Sequence, residues 1–204
     1  MRTIIYNKGG VPRKMTAPEA IANVIQEHGS LIIAEIGINA CSFCDQLRNI
    51  LEKDAYPLLE YWLVDPWQYG YKCGSCGGDN VSNEKWDDLH YQACKRMVVD
   101  SSLRVLRMTS VQAAKMFPNN YFDLVYIDAD HTYESVTEDN TTWLPKIKKD
   151  GVICGHDYSG GWQPVVDAVD HFFIKRSGKE DIKKFYQIDN KHFRMDSGVW
   201  VVEL

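Results

Sequence analysis

The stretch Phe122-Asp-Leu-Val-Tyr-Ile-Asp-Ala-Asp-His-Thr-Tyr133 (FDLVYIDADHTY) decides the fold. Leu124, Val125, Tyr126 and Ile127 form an unbroken apolar run with two β-branched members, the pattern of a strand buried on both faces. Asp128, Asp130 and His131 follow at once. Ligands of open α/β sheets collect outside the carboxyl ends of the strands, so acids and an imidazole at such an end are placed for chemistry. Further on, GVICGHDY repeats the arrangement: a short apolar run, Val152 to Cys154, leads to His156 and Asp157. Two strand ends then deliver three carboxylates and two imidazoles to one edge.

Working outward, strands and helices alternate. Thr16-Ala-Pro-Glu19 reads as a capping box, and Ala20, Ile21, Val24, Ile25 and His28 recur at helical spacing until Gly29. Leu31 to Ile36 is a strand ended by Gly37, and Cys44, Leu47, Ile50 and Leu51 return to helical period, so Glu35 to Ser42 is a strand-to-helix turn aiming N–H groups at whatever binds there. Tyr61 to Val64 is a strand with Asp65 at its end. Pro66 to Val81 holds glycines, aromatics and two cysteines without periodicity and reads as a long inserted loop. Ser82 caps a helix whose expected buried face is Trp86, Leu89, Ala93 and Met97.

Leu103 to Met108 is another strand, and Ser110 opens a short helix. Thr132 to Leu144 reads as a surface helix stopped by Pro145. The Lys146 to Lys149 run reads as a solvated helix end, and Gly151 to Gly155 as the strand after it. Pro164 begins a helix with Val165, Val166, Val169, Phe172 and Phe173 facing inward. Phe185 to Ile188 and Val199 to Val202 are expected as an antiparallel pair at one sheet edge. Strands alternating with helices predict a largely parallel α/β sheet covered on both faces.

The chain has 204 residues, 45% apolar and 25% charged, with a net charge of −5. That length suits one domain over residues 1–204, with 1–30 as an N-terminal helical segment and 66–81 as its inserted loop. A net negative chain argues against nucleic acid as a partner, since phosphate binding needs clustered positive charge. No stretch approaches the roughly 20 apolar residues of a membrane span, and none has signal-peptide character, so a cytoplasmic location with reduced cysteines is expected. The first βα turn carries one glycine and no Walker lysine, which disfavours NAD and ATP and leaves room for a smaller ligand beside Gly37.

The ordered segments AEIGINACS (34–42), LVDPW (63–67), FDLVYIDADHTYE (122–134) and LPKIKKDGVICGHDY (144–158) resemble those of class I S-adenosylmethionine-dependent methyltransferases. They are most similar to the small-molecule O-methyltransferases of the macrocin and cephalosporin-tailoring type. The resemblance implies a Rossmann-like methyltransferase fold: a seven-stranded, mostly parallel sheet with an antiparallel last strand and helices on both faces. It places Glu35, Gly37 and the adjoining Asn39 at the methionine part of the cofactor. Asp65 would accept the ribose hydroxyls, Thr109 and Ser110 would contact adenine, and Asp128 would border both cofactor and metal. Gly37 is expected because a side chain would block backbone approach to the ligand. Trp67 or Tyr133 could face the cationic sulfonium.

Methyl transfer to oxygen needs a deprotonated hydroxyl aligned with the methyl group. His131 is the expected base, its ordinary pKa of about 6.5 suiting proton acceptance near neutrality, with Asp130 second or orienting it. Asp128 and Asp157 match positions where metal-dependent members bind Mg²⁺. His156 stands where the family offers an oxygen ligand, which shifts preference toward Mn²⁺, a softer ion or no metal. Asp128 could instead cap the helix after it, and His156 could be structural.

Two CxxC pairs complete the inventory. The 28 residues between Cys44 and Cys73 exceed the spacing of about 15 to 20 in common zinc ribbons, so a shared site is disfavoured. Cys73 and Cys76 could hold a local metal or act as a redox pair, while Cys94 and Cys154 read as core. Trp67, Tyr69 and Tyr71 could cover a substrate or anchor the loop. The leading expectation is an S-adenosylmethionine-dependent enzyme methylating a small hydroxylated molecule, a sugar or secondary metabolite, with Mg²⁺ or Mn²⁺ assisting; the oligomeric state is open, a homodimer included. The alternative is a non-catalytic nucleoside-binding module whose cysteine loop senses metal or redox state.

Overall fold

Period-2 alternation in the apolar runs determines how the layers assemble, and the computed structural model shows it directly. It describes residues 3–4, 16–25, 29–68, 81–175, 182, 184–188 and 198–204. The described strands are β1 (Thr3–Ile4), β2 (Leu31–Ile36), β3 (Leu58–Asp65), β4 (Leu103–Arg107), β5 (Phe122–Ile127), β6 (Ile147–Gly155), β7 (Lys184–Ile188) and β8 (Val199–Glu203). They form one sheet in the order β1-β7-β8-β6-β5-β2-β3-β4. Strands β4, β3, β2, β5 and β6 run parallel, and β8 is antiparallel to both β6 and β7. The seven-stranded, mostly parallel arrangement expected from the sequence is therefore present. A two-residue β1, parallel to β7, is added at one edge, where only a helical segment was anticipated.

Residues of one parity, among them Leu31, Ile33, Tyr61, Leu63, Leu124, Tyr126, Val152 and Cys154, pack under α1 (Ala17–Val24), α2 (Ser42–Lys53) and α3 (Asn83–Val99). The other parity, including Ala34, Ile36, Val64, Val125, Ile127 and Ile153, packs under α4 (Ser110–Ala114), α5 (Tyr133–Trp143) and α6 (Gln163–Val169). Every residue of β5 is buried. Such double burial is what a central parallel strand requires.

The helices start where their caps dictate. Thr16 and Glu19 form the capping box of α1, while the Ser82, Thr109 and Thr132 side chains each accept an N–H in the first turn of α3, α4 and α5. Because Thr132 caps α5, Asp128 is released from that duty. Helix α6 passes into a π-helical turn, Asp170–Lys175, with Phe172 and Phe173 buried as expected.

Three local expectations are corrected. The lysine run does not end a helix: Leu144–Lys146 is a 3₁₀ turn and β6 begins at Ile147. Lys148 Nζ lies 3.0 and 2.9 Å from the two carboxylate oxygens of buried Asp123, whose Oδ2 also accepts the Ile32 N–H at 2.8 Å. A partner 25 positions away thus overrides the local signal. On α3, Ala93 is the one fully buried residue, Trp86 and Leu89 are half-buried and Met97 is exposed. Cys154 is core, whereas Cys94 is only partly buried. Cys73, Cys76, Tyr69 and Tyr71 lie outside the described residues.

Candidate functional site

Register alone gathers the site. Ile36 pairs with Ile127, and Ile127 with Gly155, so Gly37, Asp128 and His156 emerge side by side at the carboxyl edge. The arrangement is locked by Asp128 N–H donating to Ile36 O at 2.8 Å, His156 N–H to Ile127 O at 3.1 Å and Gly37 N–H to Val64 O at 2.9 Å. Above this edge opens a cavity of about 570 Å³. Glu35, Gly37, Asn39, Asp65, Ser110, Asp128, Asp130, His131 and His156 all line it. Of the expected site residues, Thr109 and Asp157 are absent from its wall.

Gly37 has φ +85°, and a Cβ there would lie 2.0 Å from the Asp128 carbonyl oxygen. The neighbouring strand end thus requires a glycine here by itself, a reason added to the one expected from the sequence. Around the same rim, Asn39, Cys41, Trp67 and Asp157 also hold positive φ, at 48°, 61°, 38° and 57°. Left-handed backbone is disfavoured for residues with a Cβ, so these turns are held in place by their surroundings.

Asp65 shows what holds them. Its Oδ2 accepts the Ile38 and Asn39 N–H groups at 2.9 and 3.0 Å, and its Oδ1 accepts the Trp67 N–H at 2.7 Å. Burial pushes its pKa up against those three donors. The carboxylate expected at the ribose is therefore engaged in joining the β2 and β3 turns, with about one lone-pair site remaining for a ligand. The Trp67 indole donates to Asn39 O at 3.1 Å, which tightens the same junction.

Glu35 is buried and accepts the Tyr61 hydroxyl at 2.7 Å. Burial raises its pKa to about 8, opposed by that hydrogen bond and assisted by Asp128. Beside it, Phe43 stacks on Tyr126 with ring centroids 3.7 Å apart. Ser110 is buried; its hydroxyl donates to Asp139 and accepts the Trp143 indole N–H at 2.8 Å. Burial raises Asp139 to about 7, opposed by that Ser110 bond. The Ser110 side chain is thus turned toward a polar pair inside the core, and Thr109 caps α4; neither hydroxyl is directed by these bonds toward adenine. The roles of Tyr61 and Asp139 had no local sequence signal, because both depend on partners at least 26 positions away.

The acids and imidazoles converge. His131 Nε2 lies 2.8 Å from Asp157 Oδ2 and 3.6 Å from Asp128 Oδ1. His156 Nδ1 lies 3.2 Å from Asp157 Oδ1 and 3.8 Å from Asp128 Oδ2. Burial by itself would lower His131, but hydrogen bonding and charge from Asp128 and Asp157 raise it to about 9. His156 is raised in the same way, and Asp157 is held well below the usual carboxylate range by the two imidazoles against its burial. One ligand atom each from Asp128, His131 and Asp157 falls within 4.8 Å of the others, a spacing that suits a single cation. His131 thus joins the two acids as a donor, and His156, the imidazole assigned there from the sequence, also lies against both of them. Asp130 Oδ1 accepts the Thr132 N–H at 2.8 Å, while Trp162 packs on His131 with ring centroids 4.5 Å apart. Tyr133 pairs with His171 at 2.6 Å.

The strand order, the antiparallel β8 and a cavity at the parallel carboxyl ends define the fold of class I S-adenosylmethionine-dependent methyltransferases. Residues 34–158 match the family described as a methyltransferase domain, and the chain belongs to that family. Among solved structures, it is similar to the O-methyltransferase NovP, at 20% identity over 90% of this chain and 76% of that one, TM-score 0.59. It also resembles the O-methyltransferase from Bacillus cereus solved in complex with SAH, at 16% identity, 95% and 84% coverage and TM-score 0.59. Spermidine synthase from Thermotoga maritima shares the fold more distantly, at 14% identity, 88% and 55% coverage and TM-score 0.52. At such identities these three establish architecture alone. No curated protein matches the chain. No described helix is long and apolar enough to cross a membrane.

Proposed function

We propose that this chain, as a single domain, transfers a methyl group from S-adenosylmethionine to a hydroxyl of a small molecule, a sugar or secondary metabolite, in the manner of the macrocin and cephalosporin-tailoring O-methyltransferases. The observation that carries the reading is the convergence of Asp128, His131 and Asp157 beside the Gly37 turn. Two carboxylates and one imidazole form a donor set that suits Mg²⁺ or, because of the nitrogen, Mn²⁺. S-adenosylmethionine, when bound, supplies an electrophilic methyl group, and a divalent cation, when bound, acidifies a hydroxyl coordinated to it.

The remaining work falls to the chain. Glu35 and the Gly37–Asn39 turn hold the methionine part of the cofactor, and Asp65 its ribose. Asp128, His131 and Asp157 hold the cation, while Trp162 braces the His131 ring. With a pKa raised to about 9, His131 carries a proton at neutrality and donates to Asp157; it releases that proton when it becomes a ligand. The role of proton acceptor then passes from His131 to Asp130, on the cavity wall. Calorimetric titration with S-adenosylhomocysteine, with and without Mn²⁺, tests this reading: we expect binding in both series, followed by turnover in a screen of hydroxyl compounds. No heat of binding with either would end it.

A further inference from the structure

We propose that Asp170, in the π-helical turn after α6, is a positioning residue for the cation ligand Asp157, acting through the Tyr158 hydroxyl. The inference rests on the methyltransferase reading above, whose cation site it deepens. Asp157 follows the end of β6 and holds left-handed backbone, with φ 57°. A residue with a Cβ keeps that conformation only where its neighbours fix it. The carboxylate meets His131 and His156 through rotatable side-chain bonds, so those contacts leave the backbone to be held elsewhere. The next residue holds it. Tyr158 is buried; its N–H donates to Gly198 O at 2.9 Å, its ring meets Phe185 edge-on with centroids 5.8 Å apart, and its hydroxyl donates to Asp170 Oδ1.

The turn that carries Asp170 reaches both ligand loops. The chain leaves α-helical geometry at Asp170, and π turns are uncommon and recur at functional sites. Within this one, Asp170, Phe172 and Phe173 are buried, while His171 between them is exposed. His171 Nδ1 lies 2.6 Å from the hydroxyl of Tyr133, two residues beyond His131. Adjacent residues of one turn thus touch the loop after β5 and the loop after β6. The two contacts differ in weight. Water can stand in for either partner of the exposed Tyr133–His171 pair, whereas the Tyr158–Asp170 bond is buried at both ends and no solvent replaces it. A carboxylate acceptor makes it the stronger of the two as well. Asp170 therefore fixes Tyr158, and Tyr158 fixes the backbone of Asp157.

The test needs no turnover. Mn²⁺ alone is titrated into the full chain and followed by electron paramagnetic resonance of the free ion, with S-adenosylhomocysteine calorimetry beside it. Tyr158→Phe removes one oxygen and keeps the buried ring; it should weaken Mn²⁺ by about 10-fold, as losing a group that orients a ligand does. Asp170→Ala should do the same, while Asp170→Asn, which keeps a carbonyl acceptor, should stay within about threefold of wild type. The double variant Tyr158→Phe/Asp170→Ala should bind no more weakly than either single one, because the two groups form one link. S-adenosylhomocysteine affinity should hold within about threefold throughout. An equal fall in both affinities would mark lost structure and overturn a positioning role. Unchanged Mn²⁺ affinity in Tyr158→Phe overturns the inference and leaves the methyltransferase reading standing, and so do losses that multiply to about 100-fold in the double variant. A wild type that binds no Mn²⁺ removes the cation site itself, and the inference with it.

Discussion

His131 Nε2 stands 2.8 Å from Asp157 Oδ2, joining the end of β5 to the end of β6. The contact raises the imidazole to about 9 and lowers the carboxylate. For a histidine raised above its unfolded value, the stabilisation is complete below about pH 6.5 and is lost as pH rises through about 9; for the lowered Asp157 it is present above about pH 4 and lost in acid. Wild type should therefore exceed His131→Gln by about 2 kcal/mol in unfolding free energy at pH 6, allowing for partial exposure. Chemical denaturation at pH 6 and pH 10 measures this, and an equal gap at both would contradict it.

Cation affinity should move the other way. A ligand must shed its proton, so Mn²⁺ binding should tighten from pH 7 to pH 9 with release of up to one proton from His131. His131→Ala should weaken Mn²⁺ by 10- to 100-fold while leaving S-adenosylhomocysteine affinity within about threefold, as expected when a first ligand but no nucleoside contact is lost. Electron paramagnetic resonance of free Mn²⁺ follows the first effect and calorimetry the second.

Glu35 is buried with its pKa raised to about 8. A raised carboxyl withdraws stability progressively as pH climbs from about 4.5 to 8, so Glu35→Gln should gain on wild type over that range, by a few kcal/mol at most. Thermal melts from pH 5 to pH 8.5 should show the two curves separating. Parallel curves would mean that the carboxyl stays ionised throughout.

At Gly37 the side chain has nowhere to go. Gly37→Ala places a Cβ against the Asp128 carbonyl at 2.0 Å in left-handed backbone, so the β5 end must shift. We expect a loss of about 2–4 kcal/mol together with weakened Mn²⁺ binding, because the displaced residue is a proposed ligand. Wild-type stability with intact binding would show that the turn relaxes freely.

Asp65→Asn tests the tie between the two turns. An amide reproduces at most one of the carboxylate's two acceptor oxygens, so one or two of three backbone N–H groups lose their partner. A loss of about 2–3 kcal/mol is expected, with at least tenfold weaker S-adenosylhomocysteine binding. Retention of both would remove Asp65 from the site.

Much of this was legible because it depends on short-range pattern. The unbroken run of β5, the caps at Thr16 and Ser82, and the acids after Ile127 and Cys154 are all local signals. Where the reading went astray, a distant partner decided. Lys148 looked like a helix terminus until Asp123 claimed it; Asp65, read from the sequence only as a ribose acceptor, also ties the β2 and β3 turns through three N–H groups. His131 looked like a base near neutrality, yet two carboxylates hold its proton in place. Spacing cannot reveal that both imidazoles, His131 as well as His156, face the same pair of acids.

Four residues with side chains hold left-handed backbone in the turns after β2, β3 and β6: Asn39, Cys41, Trp67 and Asp157. At about 1–2 kcal/mol each, their combined penalty rivals the whole margin by which an ordinary domain stays folded. Glycine would lift that penalty only by giving up the buried Trp67 ring and the Asp157 carboxylate beside His131, a loss larger than the strain relieved. Selection for durability therefore gains little at these turns, and the edge keeps its shape.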